Sequence, residues 1–413
     1  MTVLLQSAIH AFLMCNLEVV RMVPLGGLRV LDFSTLLPGP YASMMLADMG
    51  ADVVRVESPT RPDLMRLLPP SDPDGIGAGH AFLNRSKRSI ALDLKNAEAV
   101  EIVKRLAAEH DVLLEQFRPG VMERFGLGYE TLREINPRLV YCSLTGYGQT
   151  GPYRDRAGHD INYVSLAGMA SYAGYADSGP APQAFQIADL AGGALHAVIG
   201  ILAALNARQH GGEGRHVDVS MTDATFALNA IGAPICFVGG EDPKPQSNLL
   251  NGGGFYGFYR TADDRYLSIG SLEPQFREQL CRAIERPDLL PLALTTDPAK
   301  EKQFIGELRT IIAARPLAEW REVFATVDAC VEPVLTLSEA AEHPQLAARK
   351  MTVEVKGINA SQRQLAAAIK FSDSEPEYRF CGVALGAHTH EVLHELGMSE
   401  DEIATLDAAG AFG

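Results

Sequence analysis

From residue 28 to residue 56 the chain sets two short apolar runs on either side of a segment with helical character. Leu28-Arg29-Val30-Leu31-Asp32-Phe33 has the length of a strand, Pro38-Gly39-Pro40 breaks it, and Tyr41 to Met49 predicts a helix that Gly50 ends. Ala51-Asp52-Val53-Val54-Arg55-Val56 is a second strand, rich in Val. Strand, helix, strand in so short a stretch is a βαβ unit, which requires parallel pairing. The rhythm continues with a helix over 97–110, a strand over 111–117 and another over 138–144. The first 150 residues therefore predict an α/β fold built on an open, Rossmann-type parallel sheet.

Asp189 to Gln209 is apolar around most of a helical circumference, which predicts a buried helix, and 217–221 predicts a further strand. The pattern changes after about Gly239. Residues 240–254 are rich in glycine and loop-like, 255–269 predict strands, and 274–341 predict helices. We read an N-terminal extension over 1–21, a large α/β domain over 22–225, a linker over 226–254 and a smaller α+β domain over 255–345. Residues 346–413, with a helix over 391–396, return to the large domain.

Composition narrows the function. With 36 basic against 51 acidic residues the chain carries a formal charge of −15, so it lacks the broad basic surface that a nucleic-acid backbone demands. Cys15, Cys142, Cys236, Cys281, Cys330 and Cys381 are scattered with no CxxC pair, which argues against zinc or a disulfide framework and for a reducing compartment. No apolar run reaches the roughly 18 residues of a membrane span, and Leu4 to Met14 lacks the basic flank of a secretory signal. The last residues, Ala-Phe-Gly, form no peroxisomal tripeptide. The expectation is a cytoplasmic protein with neither membrane nor nucleic-acid partner.

Candidate chemistry is dispersed. The loop Ser34 to Pro40 is not GxGxxG, which disfavours a dinucleotide oxidoreductase, although a helix start after a strand still offers an anion site. Arg61, Arg66, Arg85, Lys87 and Arg88 stand out in an acidic chain, the last three in a turn before a strand expected at Ser89 to Leu94. They read either as a solvated charge run or as a clamp for a polyphosphate such as that of coenzyme A. His159 and Asp160 share a loop, and histidine suits proton transfer near neutrality, though such residues are usually plain surface groups. Asp189 stands at an N-cap position, which explains it without chemistry; a carboxylate beside free helix N–H groups is also a plausible base or nucleophile. Glu273 precedes Pro274 at a helix start, a weak signal alone.

Taken together, longer motifs resemble a known family. Pro38-Gly39-Pro40, Leu46 to Glu57, Phe117-Arg118-Pro119-Gly120-Val121-Met122-Glu123-Arg124, Gly146 to Pro152 and Gly386 to Leu393 are similar to the class III coenzyme A transferase superfamily, over roughly residues 24–400. Ala157 to Tyr163, Ala188 to Gly193, Glu273 to Phe276 and Asp328 to Leu335 resemble, within it, the α-methylacyl-CoA racemases. Phe255-Tyr256-Gly257-Phe258 and Asn251 depart from the usual racemase pattern in a loop near the expected acyl pocket.

The resemblance implies a two-domain subunit in an interlocked homodimer acting on acyl-CoA, with no metal and no cofactor beyond the coenzyme A of the substrate. It implies that His159 and Asp189 are acid/base residues on opposite faces of the α-carbon, that Asp160 and Glu273 support them, and that Arg118 lies near coenzyme A. The leading expectation is racemisation of 2-methylacyl-CoA thioesters through an enolate. A class III CoA transferase with Asp189 as nucleophile is the alternative, and a catalytically silent acyl-CoA binding protein is a third reading.

Overall fold

The computed structural model describes residues 23–73 and 75–413; the extension expected over 1–21, with Cys15, lies outside the described residues. The chain forms two compact units. The first comprises the described residues up to Arg156, Asp189–Met221 and Lys350–Gly413, and the second Ala157–Ala188 and Thr222–Arg349.

The first unit is built on six parallel strands, β1 (Arg29–Asp32), β2 (Asp52–Glu57), β3 (Lys87–Ala91), β4 (Val112–Glu115), β5 (Val140–Thr145) and β6 (His216–Ser220), in the order β3-β2-β1-β4-β5-β6. This is the Rossmann-type sheet expected from the apolar pattern, with the sixth strand contributed from well beyond residue 150. The chain winds outward from β1 to β3 and then crosses back to β4. Loops leaving β1 and β4 therefore diverge, which opens a crevice at their carboxyl ends.

The central strands read as nearly continuous apolar runs because both of their faces are covered: Val30, Leu31, Val53, Val54, Val112, Leu113 and Leu114 have no exposed surface. The helix Ala97–Glu109 buries Ala99, Ile102, Val103, Leu106 and Ala107, one stripe at helical spacing, and the Asn96 side chain caps it by accepting the Glu98 N–H at 2.9 Å. The same core receives Val392, Leu393, Ile403 and Leu406 from the C-terminal segment. That return begins at Lys350. It holds an antiparallel pair, Thr352–Lys356 with Ser361–Leu365, and two helices, Thr389–Glu395 and Glu400–Ala408. The second of these helices escaped the sequence reading although Ser399 and Glu402 form a capping box at its start.

Ala188–Gln209 is one continuous helical run of 22 residues. It is long and apolar enough by composition to cross a membrane, which corrects the expectation that no segment reaches that length. Its stripe Ala197, Val198, Ile201, Ala204 and Leu205 is buried, and the helix packs on β5 and β6. Gly193 permits the approach, since a Cβ there would come within 2.9 Å of Met221 Cγ and 3.3 Å of Leu144 Cδ1.

The second unit carries a three-stranded antiparallel sheet, β7 (Gly257–Arg260), β8 (Tyr266–Ile269) and β9 (Val331–Pro333). Helices Pro274–Ala283, Pro298–Ile312 and Leu317–Phe324 bury Leu280, Phe304, Leu308, Ile312 and Trp320 against one core with it. Trp320 satisfies its indole N–H on the Ile312 carbonyl at 2.9 Å.

Residues 157–188 and the segment read as a linker over 226–254 both belong to this unit, unlike the boundaries drawn from sequence. Side-chain bonds over long sequence separations join them. Tyr172 Oη donates to Asn229 Oδ1 at 2.5 Å, Asn229 Nδ2 to the Ala167 carbonyl at 3.1 Å, and Asn251 Nδ2 to the Tyr172 carbonyl at 3.3 Å. No local composition signals such pairings.

Candidate active site

The crevice at the switch point of the first unit's sheet is a cavity of about 710 Å³. Phe33, Thr35 and Leu36 line it from beyond β1, Ser58 and Thr60 to Leu64 from beyond β2, Leu92 to Lys95 from beyond β3, and Gln116 to Arg118, Val121, Arg124 and Phe125 from beyond β4. Its surface is mostly apolar with a rim of cations: Arg61, Lys95, Arg118 and Arg124 are exposed and border it.

The helix start beside this cavity, where the sequence offered an anion site, has its N–H groups engaged within the fold. Pro38 and Pro40 have no N–H to give, the Gly39 N–H donates to Gln116 Oε1 at 3.0 Å, and the Tyr41 N–H to the Leu37 carbonyl at 2.9 Å. Gly39 is required there, because a Cβ would lie 2.2 Å from Ser34 Cβ. With the helix N–H groups consumed, charge recognition falls to side chains.

Arg85, Lys87 and Arg88 turn inward. Lys87 and Arg88 open β3 rather than forming a turn before it. The Arg85 guanidinium grips Asp48 through Nε at 2.8 Å and Nη2 at 2.6 Å, donates to the Leu365 carbonyl at 2.6 Å, and lies between the rings of Phe82 and Tyr378. Lys87 Nζ is fully buried and has three acceptors, the Pro40 carbonyl at 2.8 Å, Asn84 Oδ1 at 3.0 Å and Asp32 Oδ2 at 3.3 Å; burial lowers its pKa to about 8 against the pull of Asp32. Arg88 reaches Asp52 at 2.7 Å, Glu395 at 2.7 Å and Glu391 at 3.2 Å. Arg66 forks onto Glu57 at 2.6 and 3.0 Å. Within these four residues every positive charge meets a carboxylate of its own unit.

Arg61 and Arg118, by contrast, share the cavity rim. Lys95 and Arg124 join them and were missed from the sequence. The signal available was their position past the carboxyl ends of β3 and β4, the side of the parallel sheet on which ligands are held.

The proton-carrying candidates sit elsewhere. His159 is exposed in extended backbone just before the helix Asp160–Leu166, and its N–H donates to Asn162 Oδ1 at 3.0 Å. Asp160 Oδ1 accepts the Ala188 N–H at 2.7 Å. One hydrogen bond thus ties the residue after His159 to the residue before Asp189.

Asp189 is half-buried and lies in the first turn of a π-helical stretch, Ala188–Leu195, rather than capping an α-helix. Within this stretch the Ala191 carbonyl accepts the His196 Nδ1–H at 2.7 Å. Glu273 is exposed, precedes Pro274–Ala283 in extended backbone and makes no capping bond with its side chain. His159, Asp160 and Glu273 belong to the second unit, and Asp189 and the cationic cavity to the first.

Residues 25–389 match the sequence profile of CoA-transferase family III. The chain belongs to that family. Among its relatives, α-methylacyl-CoA racemase of Mus musculus is 37% identical over 387 residues, covering 92% of this chain and 96% of the relative. Succinyl-CoA–D-citramalate CoA-transferase of Chloroflexus aurantiacus is 32% identical, covering 93% and 97%. A solved CAIB/BAIF family protein from Brucella suis superposes with a TM-score of 0.79 at 30% identity, covering 91% of this chain and 99% of that one. The relatives of this chain thus include a racemase and a CoA-transferase alike.

Proposed function

We propose that this member of CoA-transferase family III is a racemase that inverts the α-carbon of 2-methylacyl-CoA thioesters. The observation that carries the reading is the bond from the Ala188 N–H to Asp160 Oδ1, which joins the residue before Asp189 to the residue after His159. A racemase needs two proton carriers, whereas a transferase needs only the nucleophile. The racemase relative at 37% identity supports the same choice.

In this mechanism the thioester acidifies the α-hydrogen. For one epimer His159 takes that proton and Asp189, protonated, returns another to the opposite face; for the other epimer the roles reverse. Backbone N–H groups at the start of the helix that carries Asp189 would hold the enolate oxygen between the two transfers. Asp160 and Glu273 are assigned supporting roles. Arg61 and Arg118, with Lys95 and Arg124, receive the coenzyme's phosphates at the cavity rim, while Arg85, Lys87 and Arg88 hold the fold beneath.

The test is incubation of one pure 2-methylacyl-CoA epimer in deuterated water followed by chiral analysis. The racemase reading expects the opposite epimer to appear with deuterium at the α-position. The transferase relatives, at 32% identity for the one from Chloroflexus aurantiacus, favour a second reading in which Asp189 attacks the thioester. Trapping an aspartyl thioester on Asp189, with no deuterium in recovered substrate, would establish that reading instead.

A further inference from the structure

One buried carboxylate knits together the segments that border the cavity of the first unit. Asp63 is 4% exposed. Its Oδ2 accepts Arg55 Nη2 at 2.5 Å, both of its oxygens lie 3.2 Å from the Leu36 N–H, and Oδ1 also accepts the Met65 N–H at 3.0 Å. These donors come from three places: Leu36 from the loop after β1, Arg55 from within β2, and Met65 from the short helical turn Leu64–Arg66. Leu36, Arg55, Asp63 and Leu64 all line the cavity.

Two features show that this arrangement is held rather than incidental. Leu36 has φ of 63°, a left-handed conformation that leucine adopts only where its surroundings impose it. The Asp63 bond to its N–H is such an imposition. Arg55 is itself fixed, with Nη2 also on the Ser34 carbonyl at 3.3 Å, Nη1 facing His80 Nδ1 at 3.3 Å, and Glu57 at 3.9 Å. The charge of Asp63 is matched by Arg55, so it adds little repulsion toward a phosphate. Arg61 stands two residues before Asp63 in the same segment, with its N–H on Ser58 Oγ at 3.2 Å.

We propose that Asp63 is a positioning residue for the nucleotide end of the acyl-CoA substrate, holding the Leu36 loop and the Arg61 segment in the arrangement that receives the coenzyme's phosphates. The inference rests on the acyl-CoA reading given above. Asp63 touches neither the thioester nor its α-carbon in this role, so it governs affinity and leaves chemistry alone.

The experiment compares full-length wild type with Asp63→Asn, using one acyl group carried on coenzyme A and on pantetheine, which lacks the nucleotide. The expected result is a KM for the CoA thioester raised roughly tenfold, the size of one lost hydrogen bond to a charged group. We expect kcat to be unchanged and the KM for the pantetheine thioester to be unchanged. Equal effects on both thioesters, or none on either, would overturn the proposal by making Asp63 merely structural or irrelevant. Where Asp63→Asn does not fold, Asp63→Ser keeps an oxygen for the Met65 N–H, and the same split between thioesters is expected. Calorimetry of wild type with coenzyme A separates the two levels. No binding there would sink the acyl-CoA reading and this inference together, whereas binding without the split sinks only the inference.

Discussion

Lys87 and Arg118 are both cations of the first unit, yet their surroundings give them opposite jobs. The Lys87 ammonium has acceptors on every side and no exposed surface to offer a ligand, and Arg85 is held just as closely by Asp48. Removing one partner of such a buried pair leaves an uncompensated charge, which typically costs about 3–5 kcal/mol. Lys87→Met and Arg85→Ala should therefore melt much earlier than wild type while binding coenzyme A with nearly unchanged affinity below their melting temperatures. Arg118→Glu should do the reverse, keeping its melting temperature and losing affinity, with a weaker salt dependence than wild type. Thermal melts paired with calorimetry decide between the two assignments. On the proposed racemase reading, His159→Ala and Asp189→Asn should each slow inversion by on the order of 10²–10⁴. Exchange of the α-hydrogen with solvent should persist weakly in each, on the side of the remaining base, and deuterium incorporation resolved by epimer reads this directly.

At the scale of elements, the end of β4 shows what a buried titratable group does to a strand. Glu115 is buried, its carboxylate accepts the Phe117 N–H at 2.8 Å, and burial pushes its pKa up to about 7 despite bonds from Ser143 and Phe117. A carboxyl raised in the folded state binds its proton more tightly there than in the unfolded chain. Folding is thus favoured below the unfolded carboxyl range and loses stability as pH climbs from about 4.5 to about 7. The loss amounts to at most about 3 kcal/mol. Glu115→Gln removes the charge at constant shape, so it should be more stable than wild type at pH 8 and close to it at pH 5, measured by denaturant unfolding at both. The strands themselves were legible in the sequence because buried parallel strands announce themselves as apolar runs. The start of β3 was not: Lys87-Arg88-Ser89 looks like a surface turn, and only the carboxylates of Asp32, Asp52, Glu391 and Glu395 make its burial affordable.

Across the whole molecule, burial holds two histidines neutral. The His80 pKa falls to about 2, through burial first and then the nearby Arg55, Arg66 and Lys87, and burial lowers that of His110 to about 4. Both groups titrate near 6.5 when unfolded, so they stabilise the fold fully above that pH and progressively less below it. Each adds a slope of about 1.4 kcal/mol per pH unit on the acid side. The protein should therefore lose stability steeply between pH 6 and pH 4, and His110→Gln should flatten part of that slope in pH-dependent melts. Large apolar side chains also remain exposed: Ile199 is 62% exposed, and the neighbours Phe237 and Val238 71% and 88%. Exposed apolar residues that adjoin one another mark association surfaces. We expect two copies to associate, and sedimentation at micromolar concentration showing a fully active monomer would refute this.

The sequence by itself determined the parallel sheet and the apolar helix after Asp189, because hydrophobic period is a local property, and its motifs named His159 and Asp189 as candidates. It also placed Arg61 and Arg118 among the candidates for phosphate. Tertiary structure alone decided which cations face the cavity and which are spent inside the fold, since Arg85 and Asp48, or Arg88 and Glu391, meet only after the chain has doubled back. It likewise moved 157–188 into the second unit through Asn229 and Asn251, and tied Asp160 to Ala188. In each case a polar group must find its partner once water is excluded, and that partner lies far along the chain where no local pattern records it.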